Sequence, residues 1–118
     1  MATFSRILLS GSTNGQPIKV VATATPGTTL HTAVTGTSSF DEIYLWVTNT
    51  DTVTRTVTIE WGGTTDPDNL ITKTFSLSAN SPPYPIITGI NLNNGLLVKA
   101  FASAANVVLM SGYVNRIS

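Results

Sequence analysis

The chain is 118 residues long, and only 10% of them are charged, with 6 Lys and Arg against 6 Asp and Glu, so the formal net charge is zero. That balance gives no basic field to hold nucleic acid and no polybasic patch for anionic lipid. The chain has no Cys, which excludes a disulfide framework, a thiolate metal site and cysteine catalysis.

At 42% hydrophobic the sequence is too apolar for a disordered chain. Its length fits one domain, 1–118, able to bury roughly two-thirds of the surface its unfolded form exposes. With 20 Thr, 11 Ser and 9 Asn, its polar surface is coated with hydroxyls and amides rather than ions.

In chain order, 3–10 reads as a first strand or an arm, and 1–16 as an N-terminal arm or edge strand. Arg6 is followed only by Ile7, Leu8 and Leu9 before Ser10-Gly11-Ser12 ends the run, too short for a secretory signal. Strands are predicted at 17–23 and 28–34, parted by the Thr25-Pro26-Gly27 turn. Over 41–49, Ile43, Leu45 and Val47 share one face, and Glu42, Tyr44, Trp46 and Thr48 share the other. Over 54–61, Val57, Ile59 and Trp61 face inward against a solvated ladder of Thr54, Thr56, Thr58 and Glu60. Turn chemistry at Thr48-Asn49-Thr50-Asp51-Thr52 predicts that these two strands form an antiparallel hairpin.

A strand at 70–77 groups Ile71, Phe75 and Leu77, with Lys73 interrupting that face. Pro82-Pro83-Tyr84-Pro85 lacks ladder N–H groups and reads as an extended edge segment leading into 86–90. Asn93-Asn94-Gly95 signals a turn before 96–102, and Ser103-Ala104-Ala105-Asn106 predicts a second hairpin between 96–102 and 107–117. No window is a convincing amphipathic helix, and none approaches the ~20 apolar residues that span a bilayer. The product is expected to be soluble and to stay where it is made unless an assembly carries it. Seven to nine short strands, roughly 8–12 residues apart, predict an all-β fold. We expect a single antiparallel β-sandwich, jelly-roll type favoured over immunoglobulin-like.

Chemistry is sparse. His31 is the only histidine, and no nucleophile elbow accompanies it, so it reads as a structural residue. Asp66-Pro67-Asp68-Asn69 offers oxygen ligands, but no Glu follows to complete a calcium loop, and a turn is the simpler reading. Glu60 with Asp41 or Glu42 could be imagined as a glycosidase pair, yet each is expected on a solvated face. We expect no enzyme, no cofactor and no metal site.

What remains is surface. The 41–49 strand is apolar on both faces, so something must cover Tyr44 and Trp46: either the 82–85 segment or another subunit. The last strand poses the same question, with Val107, Leu109 and Tyr113 alternating with Val108, Met110 and Val114. It is either a central strand or a subunit contact.

Four stretches carry a resemblance: Thr28-Thr29-Leu30-His31-Thr32-Ala33, Phe40-Asp41-Glu42-Ile43-Tyr44-Leu45-Trp46-Val47-Thr48-Asn49-Thr50-Asp51, Val57-Thr58-Ile59-Glu60-Trp61-Gly62-Gly63 and Asn93-Asn94-Gly95-Leu96-Leu97-Val98-Lys99-Ala100. Over about 28–117 the chain resembles small virion structural proteins of tailed bacteriophages, and looks most like a capsid decoration (cement) protein. The resemblance implies a β-rich fold, a homo-oligomer (a trimer favoured) and binding to the outside of the major capsid protein lattice. Such a protein bridges capsomers against the pressure of packaged DNA. Its place would be the virion surface, after synthesis in the bacterial host cytoplasm.

The resemblance supplies no motif to carry over. From the residues themselves, Phe4, Arg6, Ile7 and Leu8 are the candidate arm or edge strand reaching the shell, and Tyr44 and Trp46 the candidate subunit contact. The alternatives are a neck, tail or fibre component and a carbohydrate-binding module presenting Trp46, Trp61 and Tyr84.

Overall fold

The computed structural model describes residues 3–118, so the first two positions of the 1–16 segment lie outside the described residues. The nine strands are β1 (Phe4–Leu8), β2 (Ile18–Lys19), β3 (Thr28–Thr32), β4 (Phe40–Asn49), β5 (Arg55–Trp61), β6 (Leu70–Leu77), β7 (Tyr84–Leu92), β8 (Leu97–Ala102) and β9 (Val108–Ile117). Among the described residues there is no helix. A chain patterned at period two satisfies its backbone by lateral pairing, and here every pairing is antiparallel.

One sheet runs β1-β9-β4-β7, with β2 joining β9 beyond the end of β1; the other runs β3-β8-β5-β6. The pairs nest in sequence: β1 and β2 with β9, β3 with β8, β4 with β7, β5 with β6. The chain thus follows one long two-stranded ribbon whose segments lie side by side where β4 pairs with β9 in the first sheet and β5 with β8 in the second.

The result is an all-β, sandwich-like fold around one core. Ile43, Leu45 and Val47 of β4 and Val108, Met110 and Val114 of β9 share that core with Val57 and Ile59 of β5 and Val98, Ala100 and Ala102 of β8. Trp61 packs against the same cluster, as its alternation with Val57 and Ile59 predicts. Each fully buried branched side chain contributes about 1.5–3 kcal/mol relative to its exposed state.

Neither expected hairpin forms. The 41–49 and 54–61 segments are strands, but β4 and β5 lie in different sheets, and so do β8 and β9. Period-two patterning states which face is buried; it does not state whether the next strand lies alongside or across the core. Asn49 makes the β4–β5 connection a corner. Its buried Nδ2 donates to the carbonyls of Val53, Leu77 and Ser78 at 3.0, 3.2 and 3.1 Å, and its Oδ1 accepts the Asp51 N–H at 2.9 Å. One amide therefore ties the β4–β5 corner to the end of β6.

Three further expectations change. The 17–23 strand shrinks to Ile18–Lys19, because the N–H groups of Val21 and Ala22 donate to the Thr28 hydroxyl (3.1 and 3.0 Å) instead of a ladder carbonyl. The solvated ladder on β5 is half wrong, since Thr58 and Glu60 are 5% and 1% exposed. The 22–27 loop crosses there, and Glu60 accepts from the Gly27 N–H at 2.7 Å and the Thr25 hydroxyl at 2.5 Å. Lys73 does not disturb the inner face of β6, because the register slips by one residue next to it. There Thr74 takes a φ of +51° and donates its N–H to the Thr58 hydroxyl, the local signature of a bulge.

Candidate interaction face

In an antiparallel sheet, directly opposed residues project from the same face, so the register fixes what lies beside Tyr44 and Trp46. Tyr44 opposes Tyr113, which in turn opposes Leu8; Glu42 opposes Asn115, which opposes Arg6; Ile117 stands between Phe40 and Phe4. Trp46 opposes Ser111. Phe4, Arg6, Leu8, Tyr44 and Trp46 therefore share the outward face of the β1-β9-β4-β7 sheet. Ile7 opposes Val114, turns to the inward side and packs against the core.

Tyr113 is the centre of this face. Its ring stacks on Tyr44 with centroids 4.9 Å apart and planes 18° from parallel, and on Trp46 at 6.0 Å and 28°. The Arg6 guanidinium lies 4.3 Å from the Tyr113 centroid. Stacks of this kind add about 0.5–1.5 kcal/mol each beyond area burial, and an exposed cation–π contact about 0.5–1 kcal/mol. The Tyr44 hydroxyl donates to Glu42 Oε1 at 2.8 Å, and Asn115 Nδ2 donates to the same oxygen at 3.3 Å. The hydrogen bond to Glu42, helped by desolvation, raises the Tyr44 phenol above its ordinary value.

Two glycines give Tyr44 its place. Gly89 of β7 has a φ of +91°, and a Cβ there would sit 3.1 Å from the Tyr44 hydroxyl oxygen. At Gly112 of β9 a Cβ would run into the Tyr44 carbonyl. At Gly112, β9 thus approaches the β4 backbone more closely than a side chain would allow, while Gly89 supplies a positive φ and leaves room for the end of the Tyr44 ring.

The 82–85 segment does not cover the rings. Tyr84 and Pro85 open β7, alongside β4 and opposite Val47 and Trp46, and β7 is an edge strand, which tolerates the missing proline N–H. Tyr84 instead meets Phe75 of β6 at 5.2 Å. Tyr44, Trp46 and Tyr113 remain half-buried, Phe4 is 70% exposed and Leu8 52%. Trp46, Trp61 and Tyr84 do not form one platform: Trp61 packs on the core, Trp46 faces outward, and Tyr84 sits with Phe75.

The carboxylates considered for chemistry are engaged in holding the fold. Asp41 is fully buried, against expectation, because it falls on the inward parity of β4. Arg116 reaches it with Nε at 2.8 Å to Oδ1 and Nη2 at 3.0 Å to Oδ2, and the Val34 N–H donates to Oδ2 at 3.1 Å. His31, 1% exposed, contacts Oδ2 through Nε2 at 2.7 Å, while its Nδ1 accepts the Ser10 N–H at 3.0 Å. That acceptance places the ring proton on Nε2. Neither ring nitrogen faces a hydroxyl. Burial pushes the Asp41 carboxyl up, but the hydrogen bonds from Arg116 and His31 outweigh it and hold the group below the ordinary carboxylate value. The same bond raises Arg116.

Glu60 holds the 22–27 loop, and exposed Asp66 pairs with Lys73 at 3.0 Å. Among the described residues no group of three or more His, Cys, Asp or Glu side chains is placed to hold a metal ion. A shallow groove of about 280 Å³ at one end of the other sheet is lined by Gly62, Gly63, Thr64, Leu96, Leu97 and Lys99.

Sequence reasoning named five residues of the outward face and missed its centre, Tyr113, as a site residue. The signal was present, since Tyr113 alternates with buried Val114 on a strand apolar on both sides. Only the register reveals that Arg6, Tyr44 and Trp46 converge on it. No family model matches this chain, and neither a curated protein nor a solved structure matches it.

Proposed function

We propose that this is a non-enzymatic structural protein of a tailed-bacteriophage virion that binds the outer surface of the capsid and bridges major capsid protein subunits. The observation that carries the docking reading is the outward face of the β1-β9-β4-β7 sheet, where stacked rings lead across Arg6 to an edge strand with Phe4 and Leu8 exposed. Aromatic and Arg anchors ringed by polar groups are the composition of protein-binding hot spots. A chain with zero net charge and a hydroxyl-rich remainder relies on contact area rather than a long-range field to bind. The phage assignment rests on the resemblance of the four sequence stretches.

The nested strand pairing supports the jelly-roll form of the sandwich. A rolled ribbon places first and last strands side by side and alternates its pairs between the sheets, as here, whereas immunoglobulin-like sandwiches pair by other connections. The protein acts as a homo-oligomer, a trimer favoured, with the major capsid protein as its partner. Quantitative mass spectrometry of purified virions tests this reading by counting copies per major capsid protein. Hundreds of copies in simple ratio support decoration; a dozen or fewer move the protein to the neck, tail or fibre, and absence removes the virion reading.

A further inference from the structure

Two Asn-Gly pairs occupy matched turns. Thr13-Asn14-Gly15-Gln16 is closed by the Gln16 N–H donating to the Thr13 carbonyl at 2.9 Å, with φ of +53° and +83° at its central residues. Asn93-Asn94-Gly95-Leu96 is closed by the Leu96 N–H donating to the Asn93 carbonyl at 3.2 Å, with φ of +62° and +68°. Positive φ at both central positions is the type I′ pattern, for which Asn-Gly is the favoured pair.

The turns differ in what else holds them. The Asn94 N–H donates to the Gly36 carbonyl and the Gly95 N–H to the Val34 carbonyl, both at 2.9 Å. In the first turn, Asn14 and Gly15 are exposed, and among the described residues neither N–H has a hydrogen-bond partner.

We propose that Asn14 is a site of spontaneous deamidation, from which Asn94 is protected by its backbone hydrogen bonds. Hydroxide removes the Gly15 amide proton, and that nitrogen attacks Asn14 Cγ. A new N–Cγ bond closes a five-membered imide, the Cγ–Nδ2 bond breaks, and the side-chain nitrogen leaves as ammonia. Water then opens the imide at either carbonyl, leaving aspartate or isoaspartate at position 14. The following glycine favours attack because no side chain crowds the nucleophile. Attack also requires the turn to open. At Gly95 the attacking nitrogen must first give up its bond to Val34, whereas the Gly15 nitrogen has no such bond to break, its turn being held by the 13–16 closing bond and by the Ser12 hydroxyl donating to the Gln16 carbonyl at 2.8 Å.

The product would lie close to the proposed docking face. A Cβ on Gly15 would be 3.5 Å from Leu8 Cδ2, so the turn carrying the new negative charge packs against β1. This consequence for docking, unlike the reaction itself, rests on the function proposed above.

The test is to incubate the folded full chain in mildly alkaline buffer and follow both sites by tandem mass spectrometry of tryptic peptides, with a parallel sample in urea. Conversion at Asn14 is expected about tenfold faster than at Asn94 in the folded protein, the order set by a pair of backbone hydrogen bonds, with the two rates converging in urea. Equal rates in the folded protein, or a difference that persists unchanged in urea, would overturn the proposal. Capsid binding plays no part in this readout, so its failure would leave the docking face untouched.

Discussion

On the outside of the β3-β8-β5-β6 sheet, Glu60 is 1% exposed with the chain's own 22–27 loop hydrogen-bonded to it, and Thr58 is 5% exposed with its hydroxyl accepting the Thr74 N–H of β6. On the outside of the β1-β9-β4-β7 sheet, the aromatic rings make their contacts with one another and with Arg6, and stay half open to solvent. Polar groups are hidden on one face and large apolar groups are left accessible on the other, the reverse of what residue type alone favours. A buried polar group is explained by its partners, and Glu60 has them. The accessible aromatic face has no covering segment among the described residues, and it is this face that the proposed docking would bury.

This contrast predicts that changes under the sheets cost stability, while changes on the aromatic face cost binding. The largest loss is expected at Asp41, behind the aromatic face. Asp41→Ala would leave Arg116 and buried His31 without their carboxylate, costing about 3–5 kcal/mol, a large part of a domain's usual 5–15 kcal/mol. Urea unfolding reads it directly. Because the folded Asp41 value lies below the ordinary 3.8, its contribution is fully present above that value and is lost as pH falls through the folded value. The acid-unfolding limb below 3.8 should therefore flatten in Asp41→Asn.

A smaller loss is expected for Glu60→Ala, about 1–3 kcal/mol, from leaving the Thr25 hydroxyl and Gly27 N–H unpaired. Its sharper signature is local, with faster hydrogen exchange confined to 22–27. Unchanged exchange there would break the distinction between the two faces. The smallest effect is spectroscopic: ultraviolet titration should show Tyr44 ionising above the ordinary tyrosine value of 10.0, and Glu42→Gln should bring it back down.

Much of this contrast was legible in the alternation of residues. The 70–77 strand coincides with β6, and the inward Ile43, Leu45 and Val47 are all buried. Tyr44 and Trp46 stood out because a half-buried strand needs only one apolar face. Sheet membership was not legible, because Val57 and Ile59 would bury equally well beside β4 or across the core from it. The buried state of Asp41 followed from its parity, yet a carboxylate reads as solvated until its partners are known, and Arg116 lies at the far end of the chain. Glu60 was misread for the same reason: the loop that covers it is held by one threonine hydroxyl and one glycine N–H, which leave no pattern in sequence.

The most direct test of the central claim is to compare the Trp46→Ala, Tyr113→Ala double variant with the unmodified protein for occupancy of capsids lacking this chain, with thermal unfolding measured alongside. The account predicts that capsid affinity falls at least about tenfold, as loss of a hot spot does, while cooperative unfolding is retained with a midpoint lowered by only a few degrees. Full capsid occupancy by a well-folded variant would contradict it.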